Sequence, residues 1–327
     1  MQKTIRLLTL LLAAQVLLAV GLNLSGPNLS AKPADAPLLG LENATVDRIV
    51  IEGVNNKQRT LVKKGDAWVL ADMGDFPVAE GKVKTFLERL RNLRHGLPVG
   101  TSEAALKRFK VTQEEFERRI LLQAGDNTLA TLYLGTTPGA RQVHARSADD
   151  DAVYVVDFAI YDAPLNADAW IDRNVLQFPL DTLVSVQVAD LTFQRQGEGD
   201  KVRWTVTPVV AGKEVNAKAA DALAEQLATL RISSVLGREA RSDYGLETPA
   251  LELAVQQGDG ALVTYRLGKR NNDYVLKVSS RPEYFQILKR TGDDLIAAAK
   301  RDNLLVTPAE DGGKTDKVEE EEPSATK

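Results

Sequence analysis

Catalysis needs nucleophilic or titratable side chains that converge, and few residues of this 327-residue chain are spaced to do so. The sequence holds two histidines, His95 and His144, and no cysteine. Neither histidine has a second histidine nearby, so a zinc site would rest on carboxylates, a poor match to the usual ligand sets. His95 reads as the end of a helix and His144 as a strand residue. Without cysteine there is no thiolate nucleophile, no thiolate metal site and no disulfide. The sequence has no Gly-x-Ser-x-Gly elbow, P-loop or dinucleotide fingerprint. Ala148-Asp149-Asp150-Asp151 lacks the alternating ligands and the glycine of a calcium loop, and reads as a solvated hairpin tip. The expectation is a protein without catalytic residues, metal or cofactor.

What remains are candidates for contact. In Trp170-Ile171-Asp172-Arg173 two charges interrupt an otherwise apolar stretch. The plain reading is a local ion pair between Asp172 and Arg173 that fixes the angle between two halves; the other makes Trp170, Asp172 and Arg173 an interaction surface. Lys269 and Arg270, at the turn after Leu267-Gly268, read as an exposed basic pair for lipid headgroups or a partner. An enzymatic reading would need carboxylates converging from both halves, for instance Asp172 with Asp243. The three tryptophans could form a sugar-stacking platform, but Trp68 and Trp204 hold matched positions, and matched aromatics in a repeat read as core.

The match is part of an internal repeat. Val46, Ile49 and Ile51 meet Leu183, Val186 and Val188, and Phe86, Leu90, Leu93 and Arg94 meet Leu223, Leu227, Leu230 and Arg231, at one offset of 137 residues. Later, Leu134-Gly135 meets Leu267-Gly268 at an offset of 133. Each copy reads as β-branched strands, then an amphipathic helix with apolar residues at i, i+3, i+4 and i+7, then further strands. In the first copy the helix carries Val83, Phe86, Leu87, Leu90 and Leu93 and ends near His95-Gly96. A second short helix is capped by Ser102, and Gly125-Asp126-Asn127 makes a tight hairpin turn. In the second copy a helix spans about 216–231, and a closing helix runs over 293–301. Strands, helix, strands in that order give an α+β module on antiparallel sheet rather than a doubly wound fold.

Composition bounds the rest. Hydrophobic residues make up 44% and charged residues 26%, enough to bury a core in each half. A net charge of −4, from 41 basic and 45 acidic residues, argues against nucleic acid, which demands a basic face. After Lys3 and Arg6, residues 7–24 carry no charge, at the lower edge of the roughly 17–25 that cross a bilayer. This is either a cleaved signal or an uncleaved anchor; apolar character through Leu22 and Leu24 favours the anchor. Both readings keep the basic residues in the cytoplasm and put the bulk of the chain in the periplasm. The reading in order is an anchor or signal at 1–25, a proline-bearing tether at 26–44, repeat 1 at 45–161, a connector at 162–181, repeat 2 at 182–305 and a disordered acidic tail at 306–327.

In the second copy Asp243-Tyr244-Gly245-Leu246-Glu247-Thr248-Pro249 precedes a strand, and Trp170-Ile171-Asp172-Arg173 stands between the copies. With the N-terminal segment, the duplicated unit and Gly65-Asp66-Ala67-Trp68 in its first copy, these features resemble the DUF4340 family of bacterial envelope proteins over almost all of residues 1–305. The first copy departs from the Tyr-Gly-Leu-x-x-Pro pattern, with Phe109-Lys110-Val111 and no proline. The resemblance implies association with ABC-type transport components of the gliding-motility class, and brings no catalytic residues. The expected function is therefore that of a non-enzymatic accessory or scaffold protein held at the inner membrane through residues 5–24. The alternative is a module binding envelope glycan or lipid in a groove between the copies, with Trp170, Tyr244 or Tyr274 in its lining.

Overall fold

A computed structural model describes residues 35–41, 44–197 and 199–308, with residues 12, 14 and 15 besides. Most of the expected membrane segment, the start of the tether and the acidic tail from residue 309 lie outside the described residues. Among those described, no helix is long and apolar enough to cross a membrane.

The fold is α+β, with two large sheets of antiparallel strands. The first is formed by β1 (Arg48–Gly53), β2 (Gln58–Lys64), β3 (Ala67–Leu70), β4 (Phe76–Pro77), β5 (Arg118–Ala124), β6 (Asn127–Leu134), β7 (Val143–Ser147) and β8 (Tyr154–Val156). Their order is β8-β7-β6-β5-β1-β2-β3-β4. The second is formed by β9 (Leu183–Val188), β10 (Leu191–Gln196), β11 (Arg203–Thr207), β12 (Ser234–Gly237), β13 (Leu251–Gln257), β14 (Val263–Arg270), β15 (Asp273–Val278) and β16 (Tyr284–Ile287). Their order is β11-β10-β9-β13-β14-β15-β16-β12. Seven strands of each sheet thus follow one order, with β1 in the place of β9, β5 of β13 and β6 of β14. Register agrees: Arg118 faces Leu134, and Leu251 faces Leu267, both at the offset of 133.

The described residues divide into two compact units, one running to Thr60 with Val83–Leu165, the other Leu61–Lys82 with the residues from Asn166 on. The division falls inside β2. In the first unit Ile49, Ile51, Ile120, Leu122, Leu132 and Leu134 are buried on alternate strand positions. Helix α1 (Lys82–Arg91) buries Val83, Phe86, Leu87 and Leu90, its one apolar stripe. Each such side chain contributes about 1.5–3 kcal/mol when fully buried. Helix α2 (Glu103–Phe109) starts at Ser102, whose hydroxyl accepts from the Ala105 N–H at 3.2 Å, as the capping signal implies.

Helix α1 stops at Arg91 rather than at His95-Gly96. Arg94 and His95 instead pair in extended conformation with Ala36 and Pro37, and the Leu93 carbonyl accepts from the Leu38 N–H at 2.8 Å. That pairing takes the backbone groups a longer helix would use.

In the second unit, helix α3 (Ala217–Ala228) is capped by Asn216 and buries Ala220, Leu223, Ala224 and Leu227. The closing helix α4 spans Lys289–Ala298, earlier than the expected 293–301. Ion pairs from Lys289 to Asp293 and from Arg290 to Asp294 at i, i+4 extend it backwards. A separate turn of helix follows at Arg301–Leu304.

Candidate functional site

The residues with most chemistry gather on a single turn of the second unit and the strands it lies against. Ser242–Tyr244 is one 3-10 turn, closed by Gly245 at φ 66. That left-handed geometry suits glycine. Beneath it Gly268 sits in β14, and a Cβ there would come within 2.7 Å of the Gly245 carbonyl carbon. The missing side chain lets the turn rest directly on the sheet.

The turn drives Tyr244 inward until it is 2% exposed. Its hydroxyl donates to the Leu236 carbonyl at 3.4 Å, and its ring centroid lies 5.1 Å from that of Tyr284. The neighbouring Asp243 is held by two guanidiniums, Arg270 at 2.9 Å and Arg241 at 3.2 Å. Both also stand over the Tyr244 ring, at 5.4 and 6.0 Å from its centroid. Glu283, 3% exposed, is held likewise by Arg238 at 3.0 Å and Arg281 at 3.4 Å. A buried carboxylate needs such partners to offset the hydration it has lost.

Across β13, β14, β15 and β16 the residues Glu252, Arg266, Lys277 and Tyr284 face one another in a row. Arg266 lies 3.2 Å from Glu252 through Nε and donates through Nη2 to the Leu246 carbonyl at 2.7 Å. Lys277 stands 5.0 Å over the Tyr284 ring and donates to the carbonyls of Arg281 and Glu283. Burial pulls its ammonium below the ordinary lysine pKa, opposed by the charge of Glu283.

The turn and this row enclose a cleft of about 460 Å³ lined by Arg241, Ser242, Tyr244, Arg266, Lys277 and Tyr284. A second hollow of about 470 Å³ shares Arg241 and Tyr244 and adds Arg238 and Glu283. Both volumes fall in the range of small-ligand sites. With cations and hydroxyls along its walls, the first can bind an anion. Among the described residues no group of three or more histidine, aspartate or glutamate residues is placed to hold a metal.

The contact candidates fall in other surroundings. Trp170 is 2% exposed, so its indole is not a surface platform. Asp172 and Arg173 do not form the anticipated ion pair. Asp172 accepts from the Asn174 N–H at 2.9 Å, closing a local turn, and Arg173 donates to the Asp168 carbonyl at 3.2 Å. Both line a hollow of about 460 Å³ together with Lys82, Asp168 and Arg231. Lys269 is exposed, but Arg270 is engaged by Asp243, so the two are not a free basic pair.

Trp204 is buried, its indole N–H donating to Asp221 at 2.8 Å, whereas Trp68 is only half-buried and not core. The Asp150 carboxylate accepts from the Ala152 N–H and the Tyr154 hydroxyl, both at 3.0 Å, which ties down the hairpin tip. His144 is a strand residue with its Nδ1 2.9 Å from the Thr136 hydroxyl.

The family model for a domain of unknown function, DUF4340, matches residues 68–249, more than half of the chain. The chain belongs to the DUF4340 family. No curated protein and no solved structure matches it. The DUF4340 match takes in Trp170, Asp172, Arg173 and the whole turn from Ser242 to Pro249. Arg266, Lys277 and Tyr284, which complete the cleft, lie beyond it.

Sequence reasoning missed Arg266, Lys277, Arg238, Glu283 and Tyr284. One signal was present: Arg266 and Lys277 interrupt apolar strands, in Tyr265-Arg266-Leu267 and Leu276-Lys277-Val278. Pairing those strands sets the two cations side by side.

Proposed function

We propose that the protein is a membrane-anchored accessory or scaffold subunit of an ABC-type transport complex, acting by contact rather than by catalysis. In this reading residues 5–24 hold it at the inner membrane, and two tandem copies of one antiparallel-sheet-plus-helix module stand in the periplasm. The shared strand order of the two sheets supports the duplication. One observation carries the choice of contact over catalysis. Asp243, on the turn, and Glu283, in the wall of the second hollow, are each engaged by two arginines. A carboxylate so paired has its oxygens occupied by guanidinium donors rather than turned to a ligand. The ABC-type partner rests on the family resemblance. Affinity capture of the full chain from a detergent extract should return the membrane subunits of such a complex. Capture that returns no membrane protein, or a C-terminal reporter active only in the cytosol, would overturn the reading.

A second reading, a module that binds envelope glycan or lipid, is favoured by the adjoining rings of Tyr244 and Tyr284 in the 460 Å³ cleft. Its test is binding of the full chain to envelope glycan fragments or to lipid vesicles.

A further inference from the structure

Seven strands of the two sheets correspond in order, and matched positions at the offset of 133 differ in character where the cleft lies. In the first sheet Tyr133 faces Arg119 on one side and Arg146 on the other. In the second, Arg266 holds the place of Tyr133, between Glu252 and Lys277. Around Tyr133 the first copy builds a closed apolar cluster of Val111, Tyr133 and Val153, packed by Leu106, Phe109 and Phe116. Arg146 is 6% exposed, its guanidinium 4.5 Å from the Tyr133 ring centroid and its Nε donating to the Val111 carbonyl at 2.7 Å. The same place in the second copy is a cleft with three cations on its walls. One fold therefore packs this place shut in one copy and leaves it lined with charge in the other. Open charge gives less stability than an apolar cluster, so the difference points to use rather than to folding.

The donor set specifies the ligand. The ion pairs of Arg241 with Asp243 and of Arg266 with Glu252 both run through Nε, and Arg266 adds Nη2 to a carbonyl. Each guanidinium has five N–H donors, so terminal ones remain on both. Lys277 uses two of its three donors on carbonyls. Ser242 and Tyr284 add hydroxyls at the wall. Forked guanidiniums, an ammonium and hydroxyls around a partly apolar hollow match the many acceptor oxygens of a phosphate group. The exposed Glu247 is the one carboxylate in the lining, and disfavours a ligand filling that side with charge.

We propose that this cleft of the second copy binds a phosphate-bearing molecule, held by Arg241, Arg266 and Lys277 with the hydroxyls of Ser242 and Tyr284. The inference gives the second reading above its chemistry and rests on it. The phosphate can be free or carried by a lipid headgroup, and titration separates the sources.

The test is calorimetric titration of the full chain, purified in detergent, with sodium phosphate, glycerol 3-phosphate and maltose. Saturable binding of either phosphate, at least tenfold tighter than maltose, is the expected result. Glycerol 3-phosphate tenfold tighter than sodium phosphate indicates a headgroup, and equal affinities indicate free phosphate; both support the site. Lys277→Gln and Arg266→Tyr, the second placing the first copy's residue in the cleft, should each weaken binding at least tenfold. Lys84→Ala, on an exposed face of α1, should leave it unchanged, and thermal melts show that each variant is folded. Maltose binding without phosphate binding overturns this inference while leaving the second reading in place. No binding of any probe overturns both, and phosphate binding that Lys277→Gln and Arg266→Tyr leave intact removes the cleft as its site.

Discussion

Gly245 and Gly268 face each other where the Ser242–Tyr244 turn meets β14. A Cβ on Gly245 would lie 2.6 Å from the Lys269 carbonyl oxygen, and one on Gly268 would lie 2.7 Å from the Gly245 carbonyl carbon. The obstacle in each case is backbone, which cannot swing aside like a side-chain end. The first sheet has the same arrangement at Gly135, where a Cβ would meet the Lys110 carbonyl oxygen at 2.6 Å. Gly268→Ala and Gly135→Ala are therefore expected to destabilise by about 1–3 kcal/mol each. Gly139→Ala, where the nearest atom is the Gln142 side-chain oxygen at 3.8 Å, should stay within about 0.5 kcal/mol. Urea unfolding midpoints decide it; a neutral Gly268→Ala would show that the turn does not rest on the strand.

Lys110 lies against Gly135 as Gly245 lies against Gly268, and its φ of 55 is left-handed. A side chain in that conformation costs roughly 1–2 kcal/mol relative to glycine. What Lys110 offers in return is an ion pair with Glu117 at 3.2 Å, both partners well solvated. Such pairs contribute about 0–1 kcal/mol. Lys110→Gly should thus raise stability by up to about 1 kcal/mol, seen as a higher urea midpoint with an unchanged slope. A clear loss would mean that the ion pair outweighs the strain.

A third expectation concerns acid. Burial alone would raise the pKa of Asp162, but the Arg89 hydrogen bond at 2.6 Å, the Ala159 N–H and the Arg89 charge outweigh it and hold the carboxyl below its ordinary value. A carboxylate depressed in the fold contributes stability that is present above its unfolded pKa of about 3.9 and is lost as pH falls through the folded value. Asp162→Asn should cost about 1–3 kcal/mol at neutral pH, the usual effect of losing a bond to a charged group. The gap between wild type and variant should close below that window. An equal gap on both sides of it would assign the cost to packing instead.

The antiparallel α+β character was legible because matched apolar residues recur at offsets of 137 and 133, and burial on alternate strand positions tolerates few other patterns. The matched tryptophans show where that logic stops. Trp204 is buried with its indole N–H on Asp221 of α3, but the residue of α1 at the same offset is Lys84, which cannot accept a hydrogen bond. A shared position in a repeat does not guarantee shared burial. The cleft was illegible for a different reason. Arg241, Arg266, Lys277 and Tyr284 come from a turn and three strands, and only strand pairing brings them together. Asp172 and Arg173, by contrast, are sequence neighbours that take separate backbone partners in a local turn, Asp172 the Asn174 N–H and Arg173 the Asp168 carbonyl.

Arg146 allows the closed cluster around Tyr133 to be measured directly. Its guanidinium is buried against the Tyr133 ring and donates to three backbone carbonyls, Val111 at 2.7 Å, Asp150 at 3.3 Å and Ser147 at 3.4 Å. A planar fork can serve the ring and these carbonyls at once, while a lysine ammonium is a single point of charge. Arg146→Lys should therefore destabilise despite keeping the charge, by about 1–3 kcal/mol, with carbonyls left unpaired in an apolar cluster. A double-mutant cycle with Tyr133→Leu isolates the contact between cation and ring, expected near 2 kcal/mol for a desolvated pair. Coupling near zero would mean that Arg146 is retained for the carbonyls alone. In that case the ring is only filler, and the contrast between Tyr133 and Arg266 loses its electrostatic content.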